Sequence, residues 1–389
     1  PFWLKTLRKS PLPPSSSCPS HRSAVAEAAA RRHGKMSFPL PPVEKKREQD
    51  YEIGELLGRG TFVSVYSAVE VKTGKRLAIK VVDRYRAGKL KKTNDLYMEK
   101  HCLRRTNHPN IIKMLAWFSD TLNVWVVMEE CLGGELWEVV KTIGCPRNLA
   151  HHYLSQLING CQYLRHARIV HRDIKGENIM LSNLGVLKMI DFGTAKDLEN
   201  PHIKGSGNQS RHKVFEDYVG TPQFMPKEVI ENKFTDFRSD TWSLGCTFFQ
   251  VLTGLPPFHD KSEYLVFLRI MDMDLKFPPG IDAKAVDLIK RMVAKEADDR
   301  LGGADLEEIR SHPYFEGVVF EGAHRRPPPV RSLVDLCLNK VGSALKKFQV
   351  QLGSWEGMSR LTPEVRDQIE RMKVVQKWQD DALPPEGQV

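Results

Sequence analysis

Residues 169–181 read IVHRDIKGENIML. An apolar pair leads in, an apolar triplet leads out, and between them stand Asp173, Lys175 and Asn178. A carboxylate, an ammonium and an amide held in one loop between strands form a compact polar tool set. The carboxylate can accept a hydroxyl proton, Lys175 can steady a transferring phosphate, and the amide oxygen of Asn178 can ligate Mg²⁺. Ten residues on, MIDFGTAK at 189–196 adds Asp191, a second hard oxygen ligand directly after an apolar strand. His171 and Phe192, the other prominent side chains here, read as packing residues.

Upstream, LGRGTFVSV at 57–65 joins two strands. Gly58 and Gly60 let backbone come close to a phosphate chain, and Phe62 is placed to cover it. Val63 stands where such loops usually carry a third glycine, which makes this loop stiff. LAIK ends at Lys80 on the third strand, and Glu99 follows nineteen residues later on a predicted helix. An ion pair between them would hold Lys80 against the α- and β-phosphates of ATP. Taken singly, each motif has an ordinary structural reading: a hairpin turn, a solvated lysine, a loop acid. Their joint order and spacing carry the argument.

The surrounding pattern is two-lobed. YEIGELLGR, FVSVYSAVE and KRLAIKVV are β-branched runs punctuated by Gly60 and by Thr73-Gly74, and predict three antiparallel strands. Residues 93–105 predict a helix; IIKMLAWF and VWVVMEE predict two more strands. After Gly134 helical periodicity dominates, around 148–167, 239–253, 262–271 and 283–293. The expected class is α+β, with a sheet-rich lobe over 45–132 and a helical lobe over 133–320.

The chain has 389 residues, 41% hydrophobic and 27% charged, with a formal net charge of +10. Residues 1–36 alone hold seven Lys/Arg against one acid, Glu27, so the body is only mildly basic and nucleic acid is not an expected partner. No apolar run reaches the roughly 18–20 residues of a membrane span. Seven scattered cysteines without a CxxC pair point to a reducing, cytoplasmic setting. Residues 1–44 read as a disordered basic leader rich in Ser, Pro and Ala. Its composition also suits a transit peptide or translated sequence ahead of Met36. Residues 321–389 read as a partly helical extension, with Thr362 and Pro363 opening LTPEVRDQIERM as a helix start.

These motifs resemble the eukaryotic protein kinase signature over about residues 50–320. RLGG followed by HPYF narrows the resemblance to the AGC group, and DFGTAK, YVGTPQF and TGLPPFHDKSEYLVFLRI to the 3-phosphoinositide-dependent protein kinases. The resemblance implies Mg²⁺-ATP as cosubstrate and client protein kinases as partners. It implies an ATP pocket of Leu57, Gly58, Gly60, Phe62, Val65, Ala78 and Lys80. Met128 is implied as gatekeeper, Glu129 to Cys131 as hinge and Glu135 as ribose contact, with Asn178 and Asp191 on the metal. It assigns Asp173 as base and Asp240 as the brace of its loop. Glu228, in a Pro226-Lys227-Glu228 that departs from the family's Ala-Pro-Glu, is expected to pair with Arg300, and Thr221 to bind the catalytic loop.

In that family the residue before the aromatic-Val-Gly-Thr is a serine that the kinase phosphorylates, paired with the equivalents of Arg172 and Lys196. Here it is Asp217, so a built-in negative charge is expected in the activation loop. The family's client-docking groove falls, by ungapped counting, on Arg84, Ala87, Gly88, Lys100, Trp117 and Ser119. Small residues stand where bulky aliphatics are usual, and Trp117 either fills the space they vacate or blocks the groove. The family's strand-rich C-terminal lipid-binding domain is not evident, so direct phosphoinositide binding is not expected. Two other readings stay open: an AGC kinase with a different clientele, and a catalytically silent scaffold, to which Val63, Gly176 and Pro226-Lys227 lend weight.

Overall fold

A computed structural model describes residues 46–141, 144–200 and 218–328. Its first part is a five-stranded antiparallel sheet in the order β1-β2-β3-β5-β4. The strands are β1 (Tyr51–Arg59), β2 (Val63–Glu70), β3 (Arg76–Asp83), β4 (Met114–Ser119) and β5 (Asn123–Met128). Alternation along β3 decides what each face does. Leu77 and Ile79 turn to a core with Tyr51, Ala68, Ala116, Trp125 and Val127. Ala78 and Lys80 turn the other way. Pairing of Val65 with Lys80, and of Ala78 with Met128, puts those four side chains on one face.

Two helices lie between β3 and β4: α1 (Arg84–Lys89), capped by Asp83, and α2 (Thr93–Arg105). Asp95 in the first turn of α2 and Arg104 and Arg105 in its last complement the helix dipole. The strand predicted from Ile111 begins only at Met114, because Ile111 and Ile112 leave the sheet and dock on Met189 of the second lobe.

The second lobe is helical around α4 (Arg147–His166) and α6 (Phe237–Thr253), with α3 (Leu136–Val140), α5 (Lys227–Ile230), α7 (Glu263–Asp272), α8 (Ala283–Met292) and α9 (Glu307–Arg310). Its short strands are β6 (Gly134–Glu135), β7 (Ile169–Val170), β8 (Ile179–Leu181), β9 (Leu187–Met189) and β10 (Lys196–Asp197). They form a β6-β8-β9 sheet and a β7-β10 pair. Helix α6 starts with a capping box at Asp236 and ends at Gly254, whose φ of 78° suits glycine. From Ser239 to Thr253 every residue of α6 is buried, so it is the lobe's central rod. Among the described residues no helix is long and apolar enough to cross a membrane. The leader, Asp217 and the helix start at Thr362 lie outside the described residues.

Candidate active site

The cleft between the lobes gathers the motif residues. Lys80 Nζ sits 2.7 and 2.8 Å from the two carboxylate oxygens of Glu99, joining β3 to α2. Burial works against the charge on Lys80, but the Glu99 and Asp191 carboxylates outweigh it and hold the ammonium above its ordinary pKa. Above them, β1 and β2 turn through Gly60, whose N–H donates to Val63 O at 2.8 Å. A Cβ on Gly58 would meet nothing within 4 Å, and one on Gly60 only Val63, at 3.8 Å or more. The chain itself therefore has no steric need for these glycines, and the open space they leave fits a phosphate chain.

The loop after β7 carries the polar cluster. Asp173 Oδ1 accepts from the Thr221 N–H at 2.9 Å and the Thr221 hydroxyl at 2.8 Å. Its Oδ2 meets Lys175 Nζ at 2.9 Å and the Asn178 amide nitrogen at 2.8 Å. Lys175 also donates to the Thr221 hydroxyl. Burial opposes charge on Asp173, yet Lys175 and Thr221 prevail and lower its pKa, so it is a carboxylate at neutral pH. The Asn178 amide nitrogen is committed to Asp173, which leaves the amide oxygen for a cation. Asp191, in the left-handed region at φ 59°, exposes its carboxylate in the cleft. Among the described residues no group of three or more His, Cys, Asp or Glu could hold a metal. A pair of oxygen donors completed by phosphates is the arrangement Mg²⁺ favours, so Asn178 and Asp191 fit it.

Braces fix this loop from below. The carboxylate of Asp240 accepts from the His171 and Arg172 N–H groups at 2.7 and 2.8 Å. His171 is fully buried, packs on Phe192 and has Nε2 3.1 Å from Ile190 O, a packing role as expected. Glu228 takes both guanidinium nitrogens of Arg300, at 2.7 and 2.8 Å, beneath the surface. Lys227, the departure beside it, pairs outward with Glu296 at 2.7 Å. Sequence reasoning missed Gln250 on α6, whose Oε1 accepts from the Gly176 N–H at 2.9 Å. A Cβ at position 176 would stand 2.7 Å from that oxygen. Gly176 is thus matched to Gln250, and no local signal links two positions 74 apart.

Phe62 is partly buried against the cluster of Val82, Ala87 and Leu96, as are Val63 and Trp117. The Glu129 carboxylate accepts from Lys188 Nζ and Lys113 N, both at 2.8 Å, which leaves its backbone carbonyl for the expected hinge. Cys131 is half-buried in the hinge, where burial pushes its thiol up to about 11. Glu135 is raised by burial and by Glu138 and Glu177. Leu57 is exposed at the cleft's lip. In the expected groove, Trp117 packs beside the small Ala87 with Lys100 Nζ 5.1 Å from its ring centroid, and Arg84 donates to Asp120 O at 2.7 Å. Arg172 donates to the carbonyls of Thr194 and Ala195 at the entry to the activation segment. Lys196 pairs in β10 with Val170.

The protein kinase domain model matches residues 51–315, which span the sheet, the cleft and both braces. The chain belongs to the protein kinase family. Within that family this kinase is similar to 3-phosphoinositide-dependent protein kinase 1 of Arabidopsis thaliana, 33% identical over 305 residues, covering 78% of this chain and 62% of that one. It is 32% identical over 339 residues to 3-phosphoinositide-dependent protein kinase 1 of Homo sapiens, covering 85% and 60%. It is 34% identical over 294 residues to serine/threonine-protein kinase ksg1 of Schizosaccharomyces pombe, covering 74% and 49%. The kinase spans less than two thirds of the length of each of these three relatives.

Proposed function

We propose that this kinase transfers the γ-phosphate of Mg²⁺-ATP to Ser/Thr hydroxyls of client proteins, and that its clients are activation loops of other AGC kinases. The observation that carries the transfer is the joined cluster of Asp173, Lys175, Asn178 and Thr221 facing a closed Lys80–Glu99 pair. Lys80 holds the ATP phosphates, Gly58 and Gly60 admit them, and Asp173 orients the incoming hydroxyl and receives its proton. Lys175 balances charge at the phosphate in flight. Asn178 and Asp191 would hold Mg²⁺, which would supply charge neutralisation when bound. Asp217 supplies part of the negative charge that a phosphate gives the relatives' activation loops, at about −1 against roughly −1.5 to −2.

A second reading keeps the kinase and changes the clientele. It is favoured by Trp117, which occupies the cluster beside Ala87 where client docking was expected. The test is phosphate transfer by dephosphorylated full-length protein to two peptides, one from an AGC activation loop and one generic basic peptide, with Asp173→Asn as control. Preference for the first supports the proposal, and preference for the second supports the other clientele. Silence on both with ATP still bound refutes transfer.

A further inference from the structure

Helix α2 is held at a second place, on a face away from Glu99. Asp197, the last residue of β10, has its carboxylate wholly buried. Its Oδ2 lies 2.6 Å from His101 Nε2 and accepts from the Arg105 guanidinium and, at 3.1 Å, the Asn200 amide. Its Oδ1 accepts from the Glu199 and Asn200 N–H groups at 2.9 and 3.1 Å. Arg105 reaches further, to Glu199 and to Ala167 O at 3.2 Å. His101 and Arg105 stand four apart on α2, so they share one face of the helix. Burial works against charge on Asp197, yet Arg105, His101 and Asn200 pull its carboxyl down to about 2.

Through its backbone Asp197 belongs to the catalytic scaffold. It pairs with Ile169 in the β7-β10 ladder, and the next residue's N–H donates to Arg168 O at 2.9 Å. Strand β7 runs directly into His171 and Asp173. One buried side chain therefore ties α2, which carries Glu99, to the strand pair that carries the catalytic loop.

We propose that Asp197, with His101 and Arg105, is a positioning cluster that fixes α2 in the register where Glu99 meets Lys80. The inference rests on the kinase reading above. It makes the helix's placement a property of a permanent carboxylate, present whether or not any residue is phosphorylated. Asp197 touches no reacting atom; it acts through Glu99 and Lys80.

The experiment is hydrogen exchange over residues 93–105 in the full chain, together with kcat and the KM for ATP. The proteins are wild type, Asp197→Asn, Arg105→Met and Asp197→Leu/Arg105→Met. Asp197→Asn keeps the shape and removes the charge. Expected are faster exchange in 93–105 but not in 239–253, and a fall of about 5–150-fold in kcat/KM, the usual span of coupling between sites. The apolar double variant leaves no buried charge unpaired and recovers part of the loss of Asp197→Asn. Unchanged exchange and unchanged kcat/KM in Asp197→Asn overturn the cluster's role. So does a loss spread equally over 93–105 and 239–253, which marks general destabilisation. If the wild type transfers no phosphate, the kinase reading fails, while the exchange of 93–105 still judges the cluster.

Discussion

Gly176→Ala tests whether the unusual residue in the catalytic loop is an adaptation to its neighbour. The new methyl would lie 2.7 Å from Gln250 Oε1 and 3.3 Å from both Gln250 Cδ and Trp137 Cα. Gln250 can retreat, but it then releases the Gly176 N–H, a buried donor. Leaving that donor unmade costs about 1–3 kcal/mol, and crowding the site costs about 1–3 kcal/mol more. Together these take a large share of a stability of about 5–15 kcal/mol. The retreat also pulls at Glu177, which Gln250 Nε2 meets at 3.4 Å, and so disturbs the turn holding Lys175 and Asn178. Gly176 is not in the left-handed region, so alanine itself fits the backbone. In a Gln250→Ala background Gly176→Ala is therefore expected to cost much less, with only the 3.3 Å approach to Trp137 Cα remaining. Urea unfolding of the four proteins of this cycle gives the coupling, expected above about 2 kcal/mol. Equal cost of Gly176→Ala in both backgrounds would refute the reasoning.

Two further outcomes are expected. Glu228→Gln leaves the guanidinium of Arg300, wholly buried, without its counter-charge, and is expected to lower stability by about 3–5 kcal/mol in denaturant titration. His108 is held down to about 4, first by burial and then by His324 and Lys188, while its Nδ1 accepts from the Asn110 N–H at 3.1 Å. The unfolded chain takes up a proton near 6.5 that the folded one refuses until about 4. Stability is thus full above 6.5 and falls as pH drops towards 4, by about 2–3 kcal/mol. His108→Gln is expected to flatten that slope, and a slope unchanged in the variant would exclude His108 as its source.

What the sequence discloses here is what short-range pattern can encode. The helix over 93–105 matches its observed bounds because its buried residues, Leu96, Glu99, Cys102 and Leu103, repeat at helical spacing. The β3 face is legible because Lys80 alternates with Leu77, Ile79 and Val81. Helix α1 escapes notice, since RYRAGK buries only Ala87 and has no apolar period. The motif residues meet in the cleft as their spacing implies, while the surroundings of Phe62 are not legible. A loop aromatic gives no sign of whether it will face a ligand or fold back onto Val82, Ala87 and Leu96. Gln250 and Asp197 are hidden for the same reason. Their partners are distant along the chain, and a glutamine in a helix or an acid at a strand's end is unremarked until the fold closes.

The two lobes' central helices differ in what holds them. Helix α6 is buried along nearly its whole length and cannot shift without opening the core. Helix α2 buries only three apolar side chains, and its low apolar content leaves packing a weak determinant of its place. Its position depends instead on charge: Glu99 on Lys80 at one level, His101 and Arg105 on Asp197 at another. Ion pairs are directional and distance-dependent where apolar contact is tolerant. A helix held in this way can therefore lose its register while the domain stays folded. Substitutions of these charges should separate activity from stability, and substitutions in α6 should not.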